Sequence, residues 1–371
     1  MINRMQDNTF SQDRLCAVAL DAELSGNLDE AASLFRKAIR CDATNAAPYL
    51  YFGHVLQLLG KSDAAVQVWS LGADLDKRFI NAWQTAGADE YIKHRSKLAH
   101  DAVRAHFTNL HRQCIEEFQN TNPGACVERI AAAIWCQTHE SAFEYQHPQQ
   151  RPNLFFVPDL APIPVYTAEQ TPWIGALESV WETIKQEFLA AQEAASDEQA
   201  PYLDAGVTSL GADWEPIANT LNWGSFHLYK MGRPNPRLMN FFPETLQALS
   251  AIPLVKTLSA PREVFFSVLR GKQRIPPHFG VANTDMTVHL PVIVSPDSAI
   301  RVVDAVHEWQ QGKIFAFDDA FLHESWNNGD QARVNLLFEA WHPDLSLDEQ
   351  NAVAATFDAR SRWNESRTLE H

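Results

Sequence analysis

The sequence predicts an α + β protein in which an all-helical N-terminal part precedes a region of many short strands. Three observations carry this. The first hundred residues repeat with a period of 34. Beyond about residue 220, short β-like runs alternate with Gly, Pro and Asp/Asn turns, which is the spacing of a sandwich or barrel. The 371 residues are 46% hydrophobic and 20% charged, apolar enough for two cores of ordinary soluble type.

The helical part comes first. Leu24 and Gly26 recur as Leu58 and Gly60, Ala31 as Ala65, Phe35 as Trp69, and Ala19 as Gly53 and then Gly87. The period resembles that of tetratricopeptide repeats, in which each unit is a helix–turn–helix. Small residues such as Ala31, Ala65 and Gly53 let paired helices approach. Phe35, Trp69, Leu24 and Leu58 are expected to fill the gaps between units. Gly26 and Gly60 are placed to end the first helix of each pair in a left-handed conformation. Residues 10–42 and 44–76 read as two units and 78–118 as a divergent third. Such repeats imply either a protein partner or a capping or dimerising role.

Charge and cysteine content narrow the function. A net charge of −16 repels phosphate backbones, so no nucleic-acid partner is expected. No apolar run approaches the ~18 residues of a membrane span, and the start lacks the apolar core of a signal peptide. A cytoplasmic location is expected, with no membrane contact. Cys16, Cys41, Cys114, Cys126 and Cys136 are odd in number and form no CxxC pair, so they read as small buried hydrophobes in helices. Leu369, Glu370 and His371 look like an expression-tag remnant.

The expected domains are 1–125 (helical repeats), 126–152 (a helical linker) and 153–368 (the strand-rich domain). Residues 153–165 are proline-punctuated and extended. A helix is expected over 173–195, where Trp173, Leu177, Val180, Trp181, Ile184 and Phe188 recur at helical spacing. Strands are expected at Ser225–Tyr229, Glu263–Leu269, Met286–Val294, Ile300–Val303, Lys313–Phe317 and Arg333–Trp341. A double-stranded β-helix, or cupin-like jelly roll, accommodates this set.

The chemistry-bearing segment runs from 263 to 343. It holds Pro277-His278-Phe279-Gly280, Val288-His289-Leu290-Pro291, Gly312-Lys313-Ile314-Phe315-Ala316-Phe317-Asp318-Asp319, His323-Glu324-Ser325-Trp326-Asn327, Arg333-Val334-Asn335-Leu336-Leu337-Phe338 and Trp341-His342-Pro343. With Asn222-Trp223 and Phe226-His227-Leu228-Tyr229 upstream, this string resembles the aspartyl/asparaginyl β-hydroxylase family of iron(II)- and 2-oxoglutarate-dependent oxygenases, over about residues 153–345. The resemblance implies Fe(II) as metal, with 2-oxoglutarate and O2 as cosubstrates.

Under that resemblance His278 and His323 are the metal ligands and the catalytic pair. Arg333 is the bidentate partner of the remote 2-oxoglutarate carboxylate. Ser267 gives that carboxylate a second hydrogen bond, His289 contacts the cosubstrate near the metal, and Trp223 is an aromatic beside the pocket. His342, Asp318 and Asp319 read as structural, and His227 and His307 have no assigned role. Two departures stand out. Gly280 replaces the usual carboxylate two residues after the first histidine. The family's active members include this gap, and it also admits a 2-oxoglutarate-dependent halogenase that holds chloride there. Where aspartyl-specific relatives carry basic residues, this chain has Phe265, Asp285 and Thr287. Alternation places 285, 287 and 289 on one strand face, so Asp285 and Thr287 are candidate substrate contacts. Asp285 either meets a cationic or amide group of the substrate or sits exposed at the strand's start. An acid there disfavours an aspartyl substrate. The expected activity is hydroxylation of an amino acid, peptide or natural-product intermediate, with succinate and CO2 as coproducts. The alternative of a different class is a repeat scaffold whose strand-rich domain binds without catalysing.

Overall fold

The computed structural model describes residues 2–203 and 211–370, with 2–10 and Lys77 by their backbone alone. The chain divides into two compact units. One comprises the residues up to Gln113 with Thr138–Ala142 and Ala359 onward; the other comprises Cys114–Gln137 and Phe143–Asp358.

The first unit is built on two helical pairs, α1 (Ile2–Leu24) with α2 (Leu28–Cys41) and α3 (Ala47–Leu58) with α4 (Ser62–Leu75). Gly26 and Gly60 take φ of +79° and +75°. The amides that follow them reach back to close each helix end, Asn27 to the Ala22 carbonyl and Lys61 to that of Leu56. Phe35 and Trp69 are fully buried, as their repeat positions predict. Leu24 and Leu58 are not: they are 75% and 52% exposed, on the solvent side of the last helical turn. The third repeat also departs from expectation. A single turn, Lys77–Ile80, leads into one 32-residue helix, α5 (Glu90–Thr121), in place of a pair.

The domain boundaries differ from the sequence expectation at both ends. Ile115, Val127, Ile130 and Trp135 share a core cluster with Phe155, Trp341 and Val353, so the segment after Gln113 belongs to the second unit. The chain's last residues belong to the first. Trp363 stacks edge-on to Phe107 at 4.9 Å, and Leu369, read from the sequence as a tag remnant, packs on the same helical core. Cys126 is exposed and the other four cysteines are half-buried; none is in a disulfide. Among the described residues no helix is long and apolar enough to cross a membrane.

The second unit holds two main antiparallel sheets, besides two pairs of two-residue strands. Its strands are β1 (Trp223–Lys230), β2 (Glu263–Leu269), β3 (Gln273–His278), β4 (Asp285–Ile293), β5 (Ser298–Val302), β6 (Ala305–Glu308), β7 (Phe315–Phe317), β8 (His323–Asn327) and β9 (Arg333–Trp341). The larger sheet runs β7-β4-β9-β2-β1, with two-residue strands extending its β1 edge, and the smaller runs β6-β5-β8-β3. The expected 173–195 helix is broken at Ser179 and Val180, leaving Ile174–Glu178 and α6 (Trp181–Ala194).

Alternation decides what each face does. Phe226, Phe266, Val288, Leu336 and Phe338 face one way and pack with Ile184 and Phe188 of α6. The opposite face carries the polar residues of the site. Burying one face of the large sheet under a helix fixes the register, because a one-residue slip would exchange the two sets.

Gly53 gives a direct test of the helical packing. A Cβ there would fall inside van der Waals contact of the Trp69 indole, whose Nε1 donates to the Leu50 carbonyl at 3.1 Å. The ring is fully buried and has nowhere to retreat. Gly53→Ala should therefore cost about 1–3 kcal/mol, read as a lower urea midpoint of the Trp fluorescence transition. An unchanged midpoint would mean that this helix pair is looser than described.

Candidate active site

The cavity-facing residues come from eight strands and from the loops that hold Tyr202 and Asp319. On β9 they are Arg333, Leu337 and Glu339; on β2, Glu263, Phe265 and Ser267; on β4, Thr287 and His289. The smaller sheet supplies His278, His323, Ser325 and Ile300, and Trp223 comes from β1. Of the eight site residues expected from sequence, His278, His323, Arg333, Ser267, His289, Trp223 and Thr287 line this one cavity, and Asp285 does not.

The two histidines are brought together by strand pairing. His278 ends β3, His323 begins β8, and they are direct cross-strand partners with ring centroids 4.0 Å apart. The same local device orients both rings. His278 Nδ1 lies 2.7 Å from the Pro276 carbonyl and His323 Nδ1 lies 2.9 Å from that of Phe321. A carbonyl only accepts, so each Nδ1 carries the proton and each Nε2 keeps its lone pair. Burial lowers the pKa of both, and the neighbouring His278 lowers that of His323 further. The result is two neutral imidazoles with free donor atoms, the form in which histidine binds metals. Among the described residues no three His, Cys, Asp or Glu side chains group closely enough to hold a metal between them.

Arg333 is 1% exposed. Among the described residues its guanidinium meets only hydroxyls and a ring: Ser267 Oγ at 3.5 Å, Ser325 Oγ at 3.4 Å, and the face of Trp309 at 5.4 Å. Its Nε has no partner among them. Burial pushes its pKa down to about 9, which leaves it charged at neutral pH. Ser267 Oγ is itself held by the Trp223 indole N–H at 3.1 Å. Trp223 therefore orients Ser267 as well as walling the cavity. His289 stacks on Trp309, and its Nδ1 sits 3.0 Å from the Asn335 side-chain amide. With the amide as donor, the His289 proton lies on Nε2. Burial holds the ring neutral, and the Arg333 charge adds to this.

Two readings change here. Asp285 was expected either to reach the substrate or to sit exposed; it does neither. It is 2% exposed and paired with Arg262, whose guanidinium also binds Glu339 at 2.5 Å. Burial alone would lower the Arg262 pKa, and the two carboxylates raise it beyond the ordinary value. Asp319, read as part of a structural turn, lines the cavity. A Cβ at Gly280 would collide with its carboxylate, so Asp319 fills the space that a carboxylate at 280 would take. Its Oδ2 accepts from Thr287 at 3.1 Å and its Oδ1 has no partner among the described residues. Asp318 is structural, as expected: buried, accepting from the Gln150 side chain and the Ala320 amide.

Ser325, Trp309, Glu339 and Glu263 were given no site role from the sequence, and Asp319 only a structural one. Alternation contains part of the missing signal. Glu339 is six residues from Arg333 on one strand, Ser325 is two from His323, and even spacings share a face.

The fold and this site define a two-sheet protein with paired neutral histidines opposite a buried arginine. A family model described as aspartyl/asparaginyl beta-hydroxylase matches residues 178–343. Over that segment the chain is similar to the aspartyl/asparaginyl β-hydroxylase family. The human aspartyl/asparaginyl beta-hydroxylase is 26% identical over 208 residues, covering 55% of this chain and 26% of that protein. The ornithine lipid ester-linked acyl 2-hydroxylase of Rhizobium tropici is 30% identical over 183 residues, covering 48% of this chain and 61% of that protein. The chain thus spans about a quarter of the human relative and under two thirds of the bacterial one. The crystal structure of AviO1 from Streptomyces viridochromogenes Tue57 aligns with 50% of this chain and 89% of its own, at 14% identity and a TM-score of 0.26, which is too low to support any argument.

The buried Asp318 yields a pH prediction. Burial raises its pKa from 3.8 to about 7. A carboxyl with a raised folded-state pKa contributes stability that is full below the unfolded value and lost as pH rises through the folded one. The parent protein should therefore lose stability relative to Asp318→Asn between pH 3.8 and about 7. Parallel urea titrations of the two across that window check this, and identical pH slopes would contradict it.

Proposed function

We propose that the chain is an Fe(II)- and 2-oxoglutarate-dependent dioxygenase that hydroxylates an amino acid, peptide or amino-acid-like substrate. One observation carries the reading: two imidazoles with free Nε2 atoms share a cavity with a buried guanidinium that has no anionic partner among the described residues. Neutral imidazole nitrogens suit iron(II), and a buried unpaired guanidinium calls for a carboxylate. The donor set thus fits both the metal and the cosubstrate.

In this reading His278 and His323 hold the metal through Nε2. Bound iron with 2-oxoglutarate and O2 supplies the oxidation, releasing succinate and CO2 and placing one oxygen atom in a substrate C–H bond. Arg333 binds the remote carboxylate of the cosubstrate, with Ser267 and Ser325 hydroxyls beside it. His289 offers its Nε2–H to the cosubstrate nearer the histidines. Trp309 closes the floor beneath both. Asp319, in the place a carboxylate at 280 would occupy, is positioned to hold a water at the metal. Its side chain fills the space a halide would need beside Gly280, which disfavours the halogenase alternative.

The two sheets read as the double-stranded β-helix of such oxygenases, and the two helical pairs as tetratricopeptide-type repeats that receive a protein partner or join two copies. The sequence relatives named hydroxylases support the reaction type. Cysteines without disulfides favour a reducing, cytoplasmic setting.

Metal and cosubstrate titrations test the assignment. His323→Ala should lose most bound iron and all substrate-dependent succinate formation. Arg333→Ala removes one half of a buried ion pair, worth about 3–5 kcal/mol, so 2-oxoglutarate affinity should fall at least roughly a hundredfold. Full turnover in His323→Ala would refute the metal site. An unchanged 2-oxoglutarate affinity in Arg333→Ala would mean that another residue anchors the cosubstrate. A parent protein that binds both ligands but never turns over would favour the non-catalytic scaffold.

A further inference from the structure

We propose that the end of the cavity remote from Arg333 recognises a cationic group on the substrate, an ammonium or guanidinium, through Glu263 and Glu339. This rests on the oxygenase reading and adds the substrate class. Glu339 is six residues from Arg333 on β9, which separates them by about 20 Å along the strand. The cavity is therefore polarised, with a buried cation at one end and carboxylates at the other. His289 lies between, opposite Leu337, and Thr287 lies opposite Glu339. A dianionic cosubstrate anchored at Arg333 leaves the acidic end for the substrate.

Carboxyl groups outnumber cations at that end. Asp285, Glu339, Glu263 and Asp319 are four carboxylates, and Arg262 is the guanidinium that binds the first two. Arg262 is not among the cavity-lining residues, so it offers an incoming ligand nothing. Asp319 has a buried oxygen without a partner among the described residues. Glu263 accepts from the Met231 amide and lies 3.5 Å from the half-buried His227. Its neighbours Val264 and Phe338 are paired, so β2 and β9 carry Glu263 and Glu339 at adjoining positions on the cavity face. Like charges so placed repel, and a cation between them removes the repulsion.

The wall beside them is aromatic. Tyr202 is stacked between Trp223, at 4.1 Å, and Phe265, at 5.2 Å, and all three line the cavity. Carboxylates beside aromatic rings favour an alkylammonium or guanidinium over a neutral chain of equal length. A substrate carboxylate would meet Glu263 and Glu339 with no cation among the described cavity-lining residues at that end to receive it.

The test uses the parent protein with iron(II) and 2-oxoglutarate. L-Lysine, L-arginine, L-norleucine and L-aspartate are offered both free and at the centre of one short peptide. Succinate formation and gain of one oxygen by mass are measured. Lysine or arginine should exceed norleucine by about tenfold or more in kcat/KM, the value of one charge-assisted hydrogen bond, with aspartate lowest. The lysine-to-norleucine or arginine-to-norleucine ratio should shrink several-fold in Glu263→Gln and in Glu339→Gln. Glu263 is at the cavity's rim and free of the Arg262 network, so its variant keeps the test valid should Glu339→Gln fail to fold. A preference for norleucine or aspartate would overturn the proposal. So would ratios unchanged in the folded variants, or no stimulation by any cationic probe while 2-oxoglutarate binding is intact. Absence of 2-oxoglutarate binding in the parent would instead overturn the oxygenase reading, and this proposal with it.

Discussion

A guanidinium sealed inside a two-sheet protein with hydroxyls for partners is the constraint on which this site turns. Removing a charge from water costs several kcal/mol unless an opposite charge answers it. Arg333 sits at the start of β9, which is paired on one side with β2 and on the other with β4. That central place fixes where the guanidinium points. Ser267, Ser325 and the Trp309 face ease its burial without neutralising it. The fold carries an unmet demand for an anion, held rigidly within the same cavity as two free imidazole nitrogens.

The histidine pair depends on the other sheet in the same way. His278 and His323 are adjacent because β3 and β8 pair there, and each ring is turned by a carbonyl two residues upstream. Two sheets with alternating faces thus bring a buried guanidinium, a pair of imidazoles and an acidic end into one enclosed space. Arg262 makes this tolerable. Without it, Asp285 and Glu339 would be two buried carboxylates beside Asp319, and burial already lifts the Glu339 pKa to about 7.

Much of this was legible in the sequence, and the exceptions have physical causes. Gly26, Gly60, Phe35 and Trp69 followed from the repeat because local conformation and burial dictate them. The strands at 263–269 and 333–341 were legible because both faces carry apolar residues. β3 was not, since Pro276 and Pro277 look like a turn; the strand tolerates them at the edge of its sheet. β8 is too polar to read as a strand in isolation. Asp285 was misplaced because alternation gives a face but not a partner, and Arg262 lies 23 residues away in sequence. Asp319 was missed because its proximity to Gly280 is created only by the fold.

The central claim is that His278, His323 and Arg333 together hold a metal-chelating 2-oxo acid. Anaerobic addition of 2-oxoglutarate to the iron(II)-loaded protein measures this most directly. The account predicts the visible metal-to-ligand charge-transfer band of a chelated 2-oxo acid, absent in His323→Ala and requiring far more 2-oxoglutarate in Arg333→Ala. Iron retained at His278 and His323 with no such band at saturating 2-oxoglutarate would contradict it.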